Sequence, residues 1–207
     1  MILELMQNRR SIRRFKPEVP PDADIRKLIE AAVAAPSATN KQPWRFLIAK
    51  EKKHFEVICG AVDKARRDLI ASISPEYQDE FSNYSVHFMS FRNAPIVILP
   101  IYRAFQGISA LVKESLPERE MAFLRSYEHD TALMGVSLAI QNILLMSEAI
   151  GLGACCMTGP LIARSEIENG LQVPEGWQIA AVIAVGYPDE KPEPPGRKKL
   201  EMVTRWL

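Results

Sequence analysis

Histidine and cysteine are scarce in this chain, with three of each among 207 residues. So few histidines (His54, His87 and His129) argue against a histidine-rich metal centre. Cys59 stands alone, while Cys155 and Cys156 are adjacent. An odd count with a vicinal pair is a poor disulfide framework, and no CxxC spacing supports zinc. No metal is expected, and the thiols fit a reducing compartment. An excess of charge of either sign is also lacking: 26 basic and 25 acidic residues leave a formal net charge of +1. That balance gives no broad attraction to nucleic acid or to an anionic membrane, so any important basic patch must be local. There is no internal repeat and no Ser-His-Asp spacing. The N-terminus does not read as a signal peptide, because its short apolar stretch contains Glu4 and precedes the basic cluster. One apolar run, residues 132–154, carries Gln141, Asn142 and Glu148, which would be costly at mid-bilayer. It reads as a buried helix of a soluble, cytoplasmic protein.

What is present is an ordinary globular composition, 47% hydrophobic and 25% charged, enough for one sizeable core in a single domain over residues 1–207. A short helix is expected over residues 2–8, followed by a basic stretch and a proline-marked loop. Asp22 or Asp24 is expected to cap a second helix whose inner face holds Ile25, Leu28, Ile29 and Ala32. Pro36 stops that helix, and residues 37–43 form a polar loop before a strand at 44–50. Residues 51–72 read as a helix with Phe55, Ile58, Val62 and Leu69 inward. Residues 94–102 read as a fully buried strand, and 128–150 as the central helix, stopped by Gly151 and Gly153. A short strand at 154–158, a short helix at 164–170 and a buried strand at 178–186 complete the pattern. The stretches 74–93 and 103–127 carry no clean period and are expected to form lids or the walls of a substrate pocket. Helices and strands alternate without the regular spacing of a doubly wound sheet, so the class is α+β.

Two segments stand out chemically. RRSIRRF places four arginines and a serine beside the end of a short helix, a set able to grip a phosphate through forked, charge-assisted hydrogen bonds. By itself the segment also suits a solvated basic face or a nucleic-acid patch. PSATNKQPW collects short polar donors and acceptors after a helix stop, which suits reading the edge of a planar heterocycle; a helix-ending turn with no ligand is the alternative. Gly151-Leu152-Gly153 is not a dinucleotide fingerprint, since it ends a helix and does not open one. Cys155 and Cys156 read as small hydrophobes of a buried strand in preference to redox thiols. His129 and Asp130 read as the start of the central helix, capping it and complementing its dipole. Tyr77, Tyr84, Phe88, Phe91, Phe105, Phe123 and Tyr127 are candidates to line a pocket for an aromatic acceptor, or to fill the core.

Taken together and in order, RRSIR (9–13), APSATNKQPW (35–44), AIQN (139–142) with EAIGLG (148–153), and GYP (186–188) followed by GRK (196–198) resemble the nitroreductase family over nearly the whole chain. The resemblance implies an α+β fold with a central mixed β-sheet surrounded by helices, in an intertwined homodimer. It implies an FMN-dependent oxidoreductase that uses NADH or NADPH to reduce nitroaromatics, quinones or related acceptors by a ping-pong route. Reductive dehalogenation, enone reduction and plain flavin binding are the alternatives on the same scaffold. Carried over residue by residue, it assigns Arg9, Arg10, Ser11 and Arg13 to the phosphate, ribityl chain and pyrimidine side of FMN, with Arg197 as a second cationic contact to the phosphate. Pro36, Ser37, Ala38 and Asn40, with Gln42 nearby, would approach the flavin from the other subunit. Met157, Thr158 and Gly159 would border the isoalloxazine ring. No protein nucleophile is then required, since the cofactor carries the chemistry. Neither nucleic acid nor membrane is an expected partner.

Overall fold

The structure is a computed structural model and describes residues 2–112 and 116–207. Its sheet is built from β1 (Trp44–Ala49), β2 (Ile96–Tyr102), β3 (Gly153–Met157), β4 (Gln178–Ile179) and β5 (Val182–Gly186), in the order β1-β2-β5-β3, with β4 also on β2. Every pairing between these strands is antiparallel. The expected mixed sheet is therefore an antiparallel one, and parallel character enters only through an isolated bridge from Ser11 to Ala154. The expected strand at 178–186 is two strands. They break at Ala180, whose amide turns to the Pro100 carbonyl at 2.8 Å.

β2 is buried along its whole length because it has helices on both faces. Ile96, Ile98 and Tyr102 face one core with α2 (Asp22–Val33) and α6 (Glu118–Ala149), which contribute Leu28, Ala132, Val136, Ala139 and Ile143. Val97, Leu99 and Ile101 face a second core with α3 (Lys52–Ser72) and α7 (Arg164–Gly170), through Ile58, Val62 and Ile167. Strand alternation thus sends neighbouring residues into different cores, and each fully buried Ile or Leu stabilises the fold by roughly 1.5–3 kcal/mol. A strand with two apolar faces reads as an unbroken hydrophobic run, which is why β2 was legible.

α1 (Ile2–Asn8) and α7 fall where the sequence placed them. α2 begins without a side-chain cap: Pro21 occupies that position, Asp24 pairs with Lys27 at 2.9 Å, and Asp22 pairs with Lys50. Leu69 of α3, expected inside, is 39% exposed, whereas Ile58 and Val62 are fully buried. Residues 75–85, which lacked a period, form α4 (Pro75–Ser85), a largely exposed helix with Ser85 as its one buried residue. A 3-10 turn, Val86–Met89, follows. α5 (Ile108–Leu111) precedes α6. Part of the expected second lid, residues 113–115, lies outside the described residues. α6 starts ten residues earlier than the sequence suggested, at Glu118. His129 is therefore inside the helix and cannot cap it. It bonds instead to the Tyr102 hydroxyl, with Nε2 at 2.7 Å. α6 is long and apolar enough to cross a membrane by length and composition, yet one side of it packs on α2 and the sheet. Gly151, at φ +78°, follows its end.

Candidate cofactor site

After α1 the chain runs extended along the β3 edge. The Ile12 amide donates to the Ala154 carbonyl at 3.1 Å, and Lys16 donates to Tyr187 at 2.9 Å. Ile12 is buried, so alternation puts Arg9, Ser11 and Arg13 on the opposite side from Arg10, Ile12 and Arg14. The fields agree with this division. Burial pushes the Cys155 thiol up, and the charges of Arg13 and Arg9, with a hydrogen bond from Ser11, oppose that rise. Ser11 is thus in hydrogen-bond contact with Cys155, and the charges of Arg13, Arg9 and Glu190 all reach it, Glu190 adding to the rise. Arg10 turns the other way, donating through Nη1 to the Gln7 carbonyl at 2.5 Å and to that of Arg9 at 3.0 Å. It lines a separate cavity of about 530 Å³ with Glu148 and Glu190.

Glu190 ties this segment from behind. Its Oε1 accepts from the amides of Arg13 at 2.5 Å and Arg14 at 3.1 Å, and its Oε2 from Arg14 Nε at 3.2 Å. Desolvation would raise this carboxyl, but the two amides and Arg14 outweigh it and hold the group below its ordinary value. Nothing in the acidic PDEKPEP stretch marks Glu190 out in sequence.

Met157, Thr158 and Gly159 continue from β3. Cys155 and Met157 face the same core. A side chain at Gly159 would collide with the Phe88 ring. Phe88 in turn meets Tyr84 and Phe81 edge-on, at ring centroid distances of 5.2 and 6.3 Å. The stretch 86–89 is thereby seated directly on the 157–159 turn. Of the candidate pocket aromatics, Phe91 is fully buried core, Phe88 is buried, and Tyr77, Tyr84, Phe123 and Tyr127 are exposed. Burial also pushes up the Cys156 thiol, to about 11. Neither cysteine is a ready thiolate, and their alternation between the two cores points their side chains apart.

The second motif forms a strained loop. Thr39, Asn40 and Gln42 have φ of 47°, 52° and 47°, a left-handed conformation costing about 1–2 kcal/mol at each non-glycine residue. Ser37 offsets part of this: its Oγ accepts from the Gln42 amide at 2.9 Å, and its carbonyl from the Asn40 amide at 3.0 Å. Gln42 Nε2 donates to Asn40 Oδ1 at 3.3 Å. Buried Ala35 and Trp44 anchor the two ends, while Pro36, Ala38, Asn40 and Gln42 themselves stay exposed. Backbone strain of this kind persists where the surroundings over-determine it, typically at ligand sites.

The fold joins some expected residues and separates others. Arg9, Ser11, Arg13 and Met157 to Gly159 cluster about β3. The 36–42 loop leads into β1, the opposite edge of the sheet, three strand spacings or about 14 Å away. Arg197 lies in the exposed tail and, among the described residues, bonds locally to the carbonyls of Pro195 and Gly196 at 3.5 and 3.3 Å. Two carboxylates, Glu128 and Glu190, and the partly buried Tyr102–His129–Gln178 hydrogen-bonded cluster were not expected from the sequence. Each depends on partners distant in the chain.

A helix-covered antiparallel sheet with a cationic cradle at one edge and a strained polar loop at the other defines a nitroreductase-like α+β protein. The Nitroreductase family model matches residues 6–187, and the chain belongs to that family. A relative named NADH dehydrogenase, from Thermus thermophilus, is 29% identical over 96% of this chain and 92% of its own. A BluB-like flavoprotein from Clostridium difficile 630 superposes with a TM-score of 0.88 at 25% identity, covering 100% of this chain and 99% of the other. Oxidised iodotyrosine deiodinase, bound to FMN and 3-iodo-L-tyrosine, gives a TM-score of 0.74 at 25% identity, with the same coverage.

Proposed function

We propose that this protein is an FMN-dependent oxidoreductase that takes electrons from NADH or NADPH and passes them to small acceptors such as nitroaromatics or quinones. The carrying observation is the set of Arg9, Ser11 and Arg13 on one side of an extended segment that runs along β3, the strand that leads into the 157–159 turn. Two guanidinium forks and a hydroxyl match the chemistry of a phosphate and a polyhydroxyl chain, and exposed Thr158 at the end of β3 suits the edge of a planar heterocycle. Bound FMN would supply the redox chemistry, accepting electrons from the nicotinamide and releasing them to the acceptor. Arg9, Ser11 and Arg13 would hold its polar end, with Arg197 brought in from the tail. The 157–159 turn would border the ring.

The working unit in this reading is a homodimer. The 36–42 loop and the Arg9–Arg13 segment lie at opposite edges of their own sheet, and in this reading the loop of a second copy would close each site. α6 exposes Phe123, Tyr127, Met134 and Leu138 at 68%, 50%, 67% and 42%, an apolar face suited to burial against another chain.

Similarity to iodotyrosine deiodinase favours a second reading, reductive dehalogenation in the same site. Purified protein should be yellow and release stoichiometric FMN on denaturation, and anaerobic NADH or NADPH should bleach it. A colourless protein that cannot be loaded with FMN overturns the proposal. If the reduced protein is reoxidised by a halophenol with halide release, and not by quinones or nitroaromatics, the second reading replaces the first.

A further inference from the structure

A cavity of about 510 Å³ lies between the strained loop and the segment following β2, within the usual range for a small-molecule pocket. Ala38, Thr39 and Lys41 form one wall, Phe105 and Ile108 a second, and Tyr127 of α6 a third. The lining is mainly apolar and carries two aromatic rings. Lys41 Nζ lies 5.9 Å from the Phe105 ring centroid, at the outer limit of a cation–π contact. Among the described residues no carboxylate pairs with Lys41.

One acid does line the cavity, Glu128, and its lone pairs are already engaged. Oε1 accepts from the amides of Gly107 at 2.9 Å and Ser109 at 2.8 Å, and Oε2 from Ser109 Oγ at 2.6 Å. With 5% of its surface exposed, Glu128 braces the 107–109 turn, and its charge is held by these donors and makes no ion pair with Lys41. Among the described residues that line it, the cavity therefore presents two aromatic rings and one cation, Lys41.

We infer that this cavity selects aromatic acceptors bearing an anionic substituent, with the ring against Phe105 and Tyr127 and the anion on Lys41. The inference rests on the reading that the 36–42 loop borders the cofactor, because Ala38 and Thr39 belong both to that loop and to the cavity wall. A carboxylate or phenolate on the ring would pair with the ammonium by a charge-assisted hydrogen bond. An uncharged congener would keep only the stacking.

The test compares para-nitrobenzoate with para-nitrobenzyl alcohol on the FMN-loaded protein. The ratio of their kcat/KM values should favour the anion and fall about five- to tenfold in Lys41→Met. Lys41→Arg should restore it, and added salt should erode it. Phe105→Ala should weaken both compounds. Binding of the two compounds by calorimetry, with no electron donor present, gives a readout separate from turnover and applies equally to protein without FMN. An unchanged ratio in Lys41→Met, or equal binding of anion and alcohol, overturns the inference. Failure to load FMN, or failure of NADH and NADPH to bleach the bound flavin, would instead overturn the proposed function.

Discussion

The Arg13 amide donates to the Glu190 carboxylate at 2.5 Å, a contact that closes 177 residues of sequence. It fixes the backbone of the extended segment, and so which arginines share a side with Ser11 and which face away. Replacing Glu190 by Ala leaves the Arg13 and Arg14 amides without this acceptor. The expected loss is about 1 kcal/mol at neutral pH, since the group is partly solvated. Urea denaturation checks it.

Acid sensitivity follows from the same contact and from Glu128. Desolvation would raise the Glu128 carboxyl, but hydrogen bonds from Ser109 and the 107–109 backbone hold it below the ordinary value of 4.5, and Glu190 is likewise depressed. A carboxyl depressed in the folded state contributes stability that is complete above its unfolded value and lost as pH falls through the folded one. Stability should therefore decline as pH drops below about 4.5. In Glu128→Gln and Glu190→Gln that decline should be shallower, because the wild-type advantage is already absent. Denaturant midpoints measured from neutral to acid pH give the comparison.

The arginines of the first motif should not behave alike. Arg13→Ala removes a guanidinium from the cradle, and FMN should bind about tenfold or more weakly. Arg10→Ala removes a group that bonds to the end of α1, and FMN retention should change little while α1 frays. Equilibrium dialysis of both variants separates the roles; equal loss in both would mean that alternation along the segment does not govern binding.

Gly159→Ala forces a methyl group into the Phe88 ring. Overpacking of this kind costs typically 1–3 kcal/mol. Because the clash involves one ring, Phe88→Leu should recover part of the loss in the double variant. Thermal unfolding of the two single variants and the double variant closes the cycle.

Met134→Glu places a charge at the centre of the exposed face of α6. Light scattering should then report a monomer, and flavin content should fall with it. A dimer that keeps its flavin would show that this face is not the interface.

The elements with a strong apolar period or run were legible from the sequence: α2 through Ile25, Leu28 and Ala32, β2 through its unbroken run, and α3 through Ile58 and Val62. α4 and the first turns of α6 were not. Their side chains face solvent, so no hydrophobic period records them. The end of the buried strand at Ala180 was hidden for the opposite reason, because Ala180 and Ala181 are buried and apolar like the strands on either side. In the site, RRSIRRF and APSATNKQPW were visible as motifs. That Arg10 leaves the cradle depends on the extended backbone after Asn8, and the roles of Glu128 and Glu190 depend on amides brought to them only by folding.

Because the Arg9–Arg13 segment and the 36–42 loop sit on opposite edges of one sheet, in the proposed homodimer a lesion in either would be carried by a different half of each composite site. Take one chain disabled at Arg13 and another disabled at Asn40. Paired with itself, each gives a dimer with both sites broken. Paired with each other, the two lesions fall together in one site and leave the second whole. Co-expression of two inactive alleles should therefore restore activity, a genetic signature of a site assembled from two polypeptides.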